Sequence, residues 1–100
     1  MVEIKLDGKT FPVRATMRAW KRFEDNTGKK VAEVDSNDVT LIPELVYYFV
    51  QEGCKAQEMA FEMDVDDFLG LIEIADLPAL SKTVADCMGT QKKTRAKASR

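Results

Sequence analysis

The chain contains no histidine among its 100 residues, and that absence removes several chemistries at once. Serine–histidine triads, imidazole zinc sites and histidine acid–base catalysis all need a side chain that is missing. Cysteine is scarce too. Cys54 and Cys87 stand far apart and fit no CxxC spacing, so two reduced thiols of a cytoplasmic protein are expected rather than a disulfide framework. The five glycines, at 8, 28, 53, 70 and 89, are isolated from one another, so no phosphate-cradling loop is present. Long apolar runs are lacking as well: Val39 to Val50 is the richest stretch, and Pro43 and Glu44 interrupt it. The start, Met1-Val2-Glu3-Ile4-Lys5, alternates polar and apolar side chains and has no signal-peptide core. No membrane association is expected.

What is present is charge, and it is segregated. The formal net charge is only −2. Residues 1–32 carry eight basic and four acidic side chains, residues 33–89 two basic and thirteen acidic, and residues 90–100 five basic and none acidic. The net charges are therefore +4, −11 and +5. Apolar residues make up 45% of the chain, enough for one modest core in one domain.

Hydrophobic periodicity predicts an α+β domain over residues 1–89. Val2, Ile4 and Leu6 alternate with polar neighbours, Asp7-Gly8 supplies a type I′ turn, and Phe11 and Val13 follow on the return strand. Thr16 caps a predicted helix with Met17, Ala19, Trp20 and Phe23 inside and Gly28 at its end. After the capping cluster Ser36-Asn37-Asp38, Ile42, Leu45, Val46, Phe49 and Val50 form a full helical stripe ending at Gly53. Leu41, Tyr47 and Tyr48 lie outside it, so this helix must be covered on more than one side. Met59, Phe61 and Met63 alternate as a short third strand does. Asp64 caps a helix with Phe68, Leu69, Ile72 and Ala75 inward and Leu71 and Ile74 widening the stripe. Asp76-Leu77-Pro78 restarts the chain into a last helix through Leu80, Val84, Cys87 and Met88, stopping at Gly89. Residues 90–100 lack large apolar side chains and are expected to form a flexible basic tail.

Candidate chemistry is sparse. Ser36, Ser81 and Ser99 have no general base, and Ser81 beside Lys82 lacks the spacing of a serine–lysine pair on one helix face. Asp64, Asp66 and Asp67 suggest calcium, but Phe68 replaces a needed oxygen ligand and the central glycine is absent; capping and dipole complementation account for them. No catalytic residue, metal site or cofactor is expected. The basic tail offers counterion release to nucleic acid, against an acidic body without interleaved aromatics for base stacking. The surplus apolar surface around Leu45 and Leu71 fits either core packing on two sides or an adaptable helix-binding or self-association face.

Ala19, Phe23-Glu24 and Thr27-Gly28-Lys29 together resemble the A…FE..TGK block of small phage tail assembly chaperones. The alternating first strand, the helix closing in Glu52-Gly53-Cys54, the extended stretch before Asp64 and the Asp76-Leu77-Pro78 restart are similar too, so the resemblance spans about residues 2–89. It assigns no role to Trp20 or Tyr47-Tyr48. The resemblance implies a non-enzymatic assembly factor of a long-tailed phage or prophage, made in the host bacterial cytoplasm and absent from the mature virion. Its partners would be the apolar, helical tape measure protein and the tail-tube protein, with self-association a further option. Such factors are often made in two lengths by frameshifting, for which codons at Lys92-Lys93 are a candidate slippery run. On this reading Leu45, Tyr48, Phe49, Phe68, Leu71 and Ile72 are the candidate partner contacts. The competing readings are a nucleic-acid-associated regulatory protein acting through residues 92–100 and a minor structural tail subunit.

Overall fold

The computed structural model describes the backbone of residues 2–34 and 38–98 and the side chains of residues 2–34 and 38–87. It is an α+β fold: an N-terminal antiparallel hairpin packed with four helices. Strands β1 (Val2–Leu6) and β2 (Lys9–Val13) pair with Val2 opposite Val13 and Ile4 opposite Phe11. Asp7 and Gly8 both have positive φ, 51° and 77°, as a type I′ turn demands. Ile4, Leu6, Phe11 and Val13 are buried, the face expected from alternation.

Helix α1 (Met17–Thr27) starts where Thr16 Oγ1 accepts the Ala19 N–H at 3.1 Å and ends at Gly28, whose φ of 72° is left-handed. Ala19 and Phe23 are buried, but Met17, expected inside, is 75% exposed. It occupies the first turn, two residues before Ala19, which puts it well round the helix from the face that Ala19 and Phe23 bury. A 3₁₀ turn, Val31–Glu33, follows. The expected capping residues Ser36 and Asn37 lie outside the described residues.

Helix α2 (Leu41–Ala56) is the centre of the domain and packs on β2, α1, α3 and α4. Its predicted stripe is wholly buried, and Tyr47 and Tyr48 are buried as well, the multi-sided cover expected of a helix apolar all round. The helix does not stop at Gly53. Gly53 instead lets the helix approach the backbone of Pro12 and Val13, and the cap falls at Gln57.

Residues 59–63 form no strand: the sheet has two strands. The segment is held by side chains, with the Tyr47 hydroxyl donating to the Met63 carbonyl at 3.0 Å and Phe61 packed on Phe11, Tyr47 and Phe68 at centroid distances of 5.7–6.1 Å. The helix expected from Asp64 to Ala75 is also shorter. Helix α3 (Val65–Leu69) is capped by Asp64 Oδ1, which accepts the Asp67 N–H at 2.8 Å, and gives way at Gly70, a poor helix former. A 3₁₀ turn, Ile74–Asp76, leads into α4 (Leu77–Ala98). Leu80 is buried and Leu77, Val84 and Cys87 are half-buried, whereas the side chain of Met88 is outside the described residues. The backbone stays helical past Gly89, where a stop was expected, and through the first nine residues of the segment expected as a tail. One glycine costs a helix only about 1 kcal/mol, and the Gln, Lys, Arg and Ala residues beyond it are good helix formers.

Candidate functional site

The six candidate contacts separate sharply in the fold. Leu45, Phe49 and Phe68 are fully buried and Tyr48 nearly so, while Leu71 and Ile72 are half-buried. Phe68 stacks edge-on with Phe11 and Phe61 and lies 5.6 Å from the Tyr47 ring. Tyr48 meets the Tyr47 ring at 5.1 Å; burial, and secondarily the charge of Glu44, raises its hydroxyl above the usual tyrosine pKa. These four residues make the core and offer almost no surface to a partner in this conformation. Ile72 lines a surface depression.

That depression lies where the start of α2 meets the corner between α3 and α4. Val39, Thr40 and Pro43 form one wall; Leu69, Ile72 and Leu77 form the other, with Glu73 and Ile74 at the lip. Its volume is about 270 Å³. Ile74 is 83% exposed and Val39 58% exposed, so two large aliphatic side chains stand in water beside an apolar hollow. Local structure holds them there. The Asp76 N–H donates to the Glu73 carbonyl and the Glu73 N–H to the Asp76 carboxylate, both at 2.9 Å, which fixes the 3₁₀ turn bearing Ile74. The Ile42 N–H donates to the Asp38 carbonyl at 2.9 Å, which fixes the entry to α2 beside Val39.

The electrostatics of this face are one-sided. From Asp38 to Pro78 the chain has ten acidic residues and one basic residue, Lys55. Glu73 lines the groove and no lysine or arginine does, among the described residues. Glu44, half-buried in the first turn of α2, has its carboxyl raised above the usual range by burial.

A second hollow of about 250 Å³ is mixed in character, with Arg22, Glu52 and Lys55 beside Met59 and Phe61. Next to it Glu52, 4% exposed, takes a two-pronged ion pair from Arg18, with Nε to Oε2 at 2.8 Å and Nη2 to Oε1 at 3.0 Å. Burial pushes the Glu52 carboxyl up, but Arg18, with help from Thr16 and Arg22, more than offsets it and holds the carboxyl below its ordinary value. This pair ties α1 to α2. Among the described residues no cluster of acidic or cysteine side chains is arranged to hold a metal ion, and no helix is long and apolar enough to cross a membrane.

The residues that carry the family resemblance build the end of α1. Phe23 is core. Glu24 Oε2 accepts from Trp20 Nε1 and from the Val31 N–H, each at 3.0 Å. The Thr27 hydroxyl donates to the Phe23 carbonyl at 2.7 Å and accepts the Lys29 N–H at 3.1 Å. Gly28 supplies the left-handed residue. The block is thus a helix-stop device that turns the chain into the 3₁₀ turn at Val31. Comparison with family models, curated proteins and solved structures finds no match.

Val39 and Ile74 are the functional candidates that periodicity misses. Ile74 reads as part of an amphipathic helix until Gly70 on one side and Pro78 on the other are allowed to break that helix. A large aliphatic between two breaks belongs to no stripe, and that is the signal that marks it.

Proposed function

We propose that the chain is a phage tail assembly chaperone: a non-enzymatic escort that holds the apolar, helical tape measure protein in solution while the tail-tube protein assembles around it. On this proposal it acts in the host bacterial cytoplasm and is absent from the finished virion. The observation that carries the reading is the groove at Val39, Ile72 and Ile74, an exposed apolar hollow on an acidic body. An escort needs both properties at once. Apolar surface gives reversible contact with a hydrophobic helix, and the local surplus of carboxylates over residues 33–89 keeps the complex dispersed. The resemblance of the Phe23-Glu24…Thr27-Gly28-Lys29 block adds the family.

Co-expression tests it. The chain is produced together with the long helical protein encoded downstream of it, and the partner's soluble fraction is measured. The escort reading expects the partner to move from pellet to supernatant and the two to co-purify. A partner that stays insoluble, with tails still formed when this gene is deleted, overturns it.

A further inference from the structure

The groove has a chemistry more specific than apolar. We propose that it takes an amphipathic α-helix whose apolar face is flanked by lysine or arginine, and that it discriminates against the same helix flanked by acidic residues. The inference rests on the proposed escort function only in treating this groove as the contact face.

The shape of the occupant follows from the backbone around the hollow. A bound strand needs unpaired N–H and C=O groups to pair with. Here four donors at the corner are already used: Leu71 N–H donates to the Phe68 carbonyl, Ile72 N–H to the Leu69 carbonyl, Asp76 N–H to the Glu73 carbonyl and Glu73 N–H to the Asp76 carboxylate. The opposite wall is the first turn of α2, whose Pro43 has no N–H at all. Neither wall is a strand: one is the first turn of α2, the other the end of α3 and a 3₁₀ turn, so an extended segment has no ladder to join, and a helix presents a continuous apolar row without backbone pairing. Ile74 and Val39 stand as opposing aliphatic lips around Ile72 and Leu77, the arrangement a row of anchor side chains fits between.

The charge of the flanks follows from the surroundings. Glu73 is in the lining, Asp66 and Asp67 are exposed on α3 directly before Leu69, and Asp76 closes the turn that bears Ile74. No cation lines the groove among the described residues. A helix with acidic flanks meets the Glu73 carboxylate and a surrounding surplus of negative charge, whereas lysine or arginine beside the apolar row is attracted to both. The chain's own residues 90–100 are basic but have no apolar side chain larger than alanine, so they match the rim and leave the hollow unfilled.

The probe is a fluorescently labelled peptide of about 20 residues, long enough to hold helix, with leucines at i, i+3, i+4 and i+7 and lysines beside them. An isomer carries glutamates in place of the lysines. Binding to the full chain is read by anisotropy at low and at physiological salt. The lysine peptide is expected to bind at least tenfold more tightly than the glutamate peptide, with the gap narrowing as salt screens the rim. Ile74→Asp, at a site open to solvent, is expected to remove binding of the lysine peptide while the circular dichroism melt is unchanged. Val39→Asp makes the same test should Ile74→Asp unfold. Glu73→Lys is expected to narrow the preference between the peptides.

Equal binding of the two peptides overturns the charge assignment, and binding that survives both Asp substitutions overturns the site. A dimer in sedimentation that Ile74→Asp dissociates assigns the groove to a second copy and overturns the helix assignment. The two proposals fail separately. Loss of peptide discrimination with the tape measure protein still solubilised refutes this inference alone, and discrimination retained with no solubilised partner refutes the escort function alone.

Discussion

Gly53, in the last turn of α2, lies directly against the carbonyl of Pro12 in β2: a Cβ at residue 53 would overlap that carbonyl and stand 2.9 Å from the Val13 nitrogen. Both neighbours are main chain, and neither can swing aside. Alongside, the Arg14 N–H donates to the Phe49 carbonyl at 3.0 Å, so strand and helix are joined backbone to backbone. Gly53→Ala is therefore expected to destabilise by about 3 kcal/mol despite alanine's better helix propensity. Urea unfolding checks it. Gly28→Ala, left-handed but with open space around its Cβ position, is expected to cost about 1 kcal/mol.

The Arg18–Glu52 pair gives a pH dependence with a definite sign. The folded carboxyl of Glu52 sits below its ordinary pKa, so the unfolded chain binds its proton more readily. Stability from this group is present above the unfolded carboxylate pKa and is lost as pH falls through the lower, folded value. Arg18→Met keeps much of the stem but removes the ion pair, leaving the buried carboxylate only the weaker help of Thr16 and Arg22. It is expected to lower Tm most near neutral pH, with the gap from wild type shrinking as Glu52 becomes protonated. A gap independent of pH would mean that packing of the arginine stem, and not its charge, holds α1 to α2.

Much of this fold is legible in the order of its residues, and the parts that are not share one cause. The Asp7-Gly8 turn, the Thr16, Gly28 and Asp64 caps and the stripe from Ile42 to Val50 are local signals, each satisfied within a few residues of chain. Gly53 misleads because glycine marks either a helix end or a close approach, and only the partner across the gap, Pro12, tells them apart; Gly89 misleads because one glycine costs a helix too little to stop it. Phe61 and Met63 alternate like a strand but answer to Tyr47 and the surrounding rings, a long-range arrangement with no local signature. The contact candidates suffer most. Leu45 and Phe49 differ from Ile74 in burial, and burial belongs to the whole fold.

Two thiols allow a quick check of the core. Cys54 is buried, and burial raises its thiol above the ordinary value. Cys87, on the inner side of α4, is pushed up to about 11 by burial and by the neighbouring Asp86. Only thiolate reacts quickly. At pH 8 both are expected to react with a disulfide reagent far more slowly than a free cysteine, and to reach full rate on adding guanidinium chloride. Rapid reaction of Cys87 in buffer would show that α4 leaves the body of the protein on the timescale of the assay.

Substitutions that separate core from groove give the sharpest functional prediction. Phe49→Ala empties a fully buried site and is expected to cost about 3–5 kcal/mol, so any loss of partner binding in it follows loss of fold. Ile74→Ser removes a side chain that is 83% exposed, and its stability is expected to stay within about 0.5 kcal/mol of wild type. In co-expression, Ile74→Ser is then expected to yield as much folded chain as wild type but a smaller soluble fraction of the proposed tape measure partner, and a double substitution with Val39→Ser less still. Leu71→Ser, at a half-buried candidate outside the groove lining, is the control that fixes the boundary. A soluble partner fraction that falls with Leu71→Ser and holds with Ile74→Ser would move the contact face off the groove and onto the outer side of the α3–α4 corner.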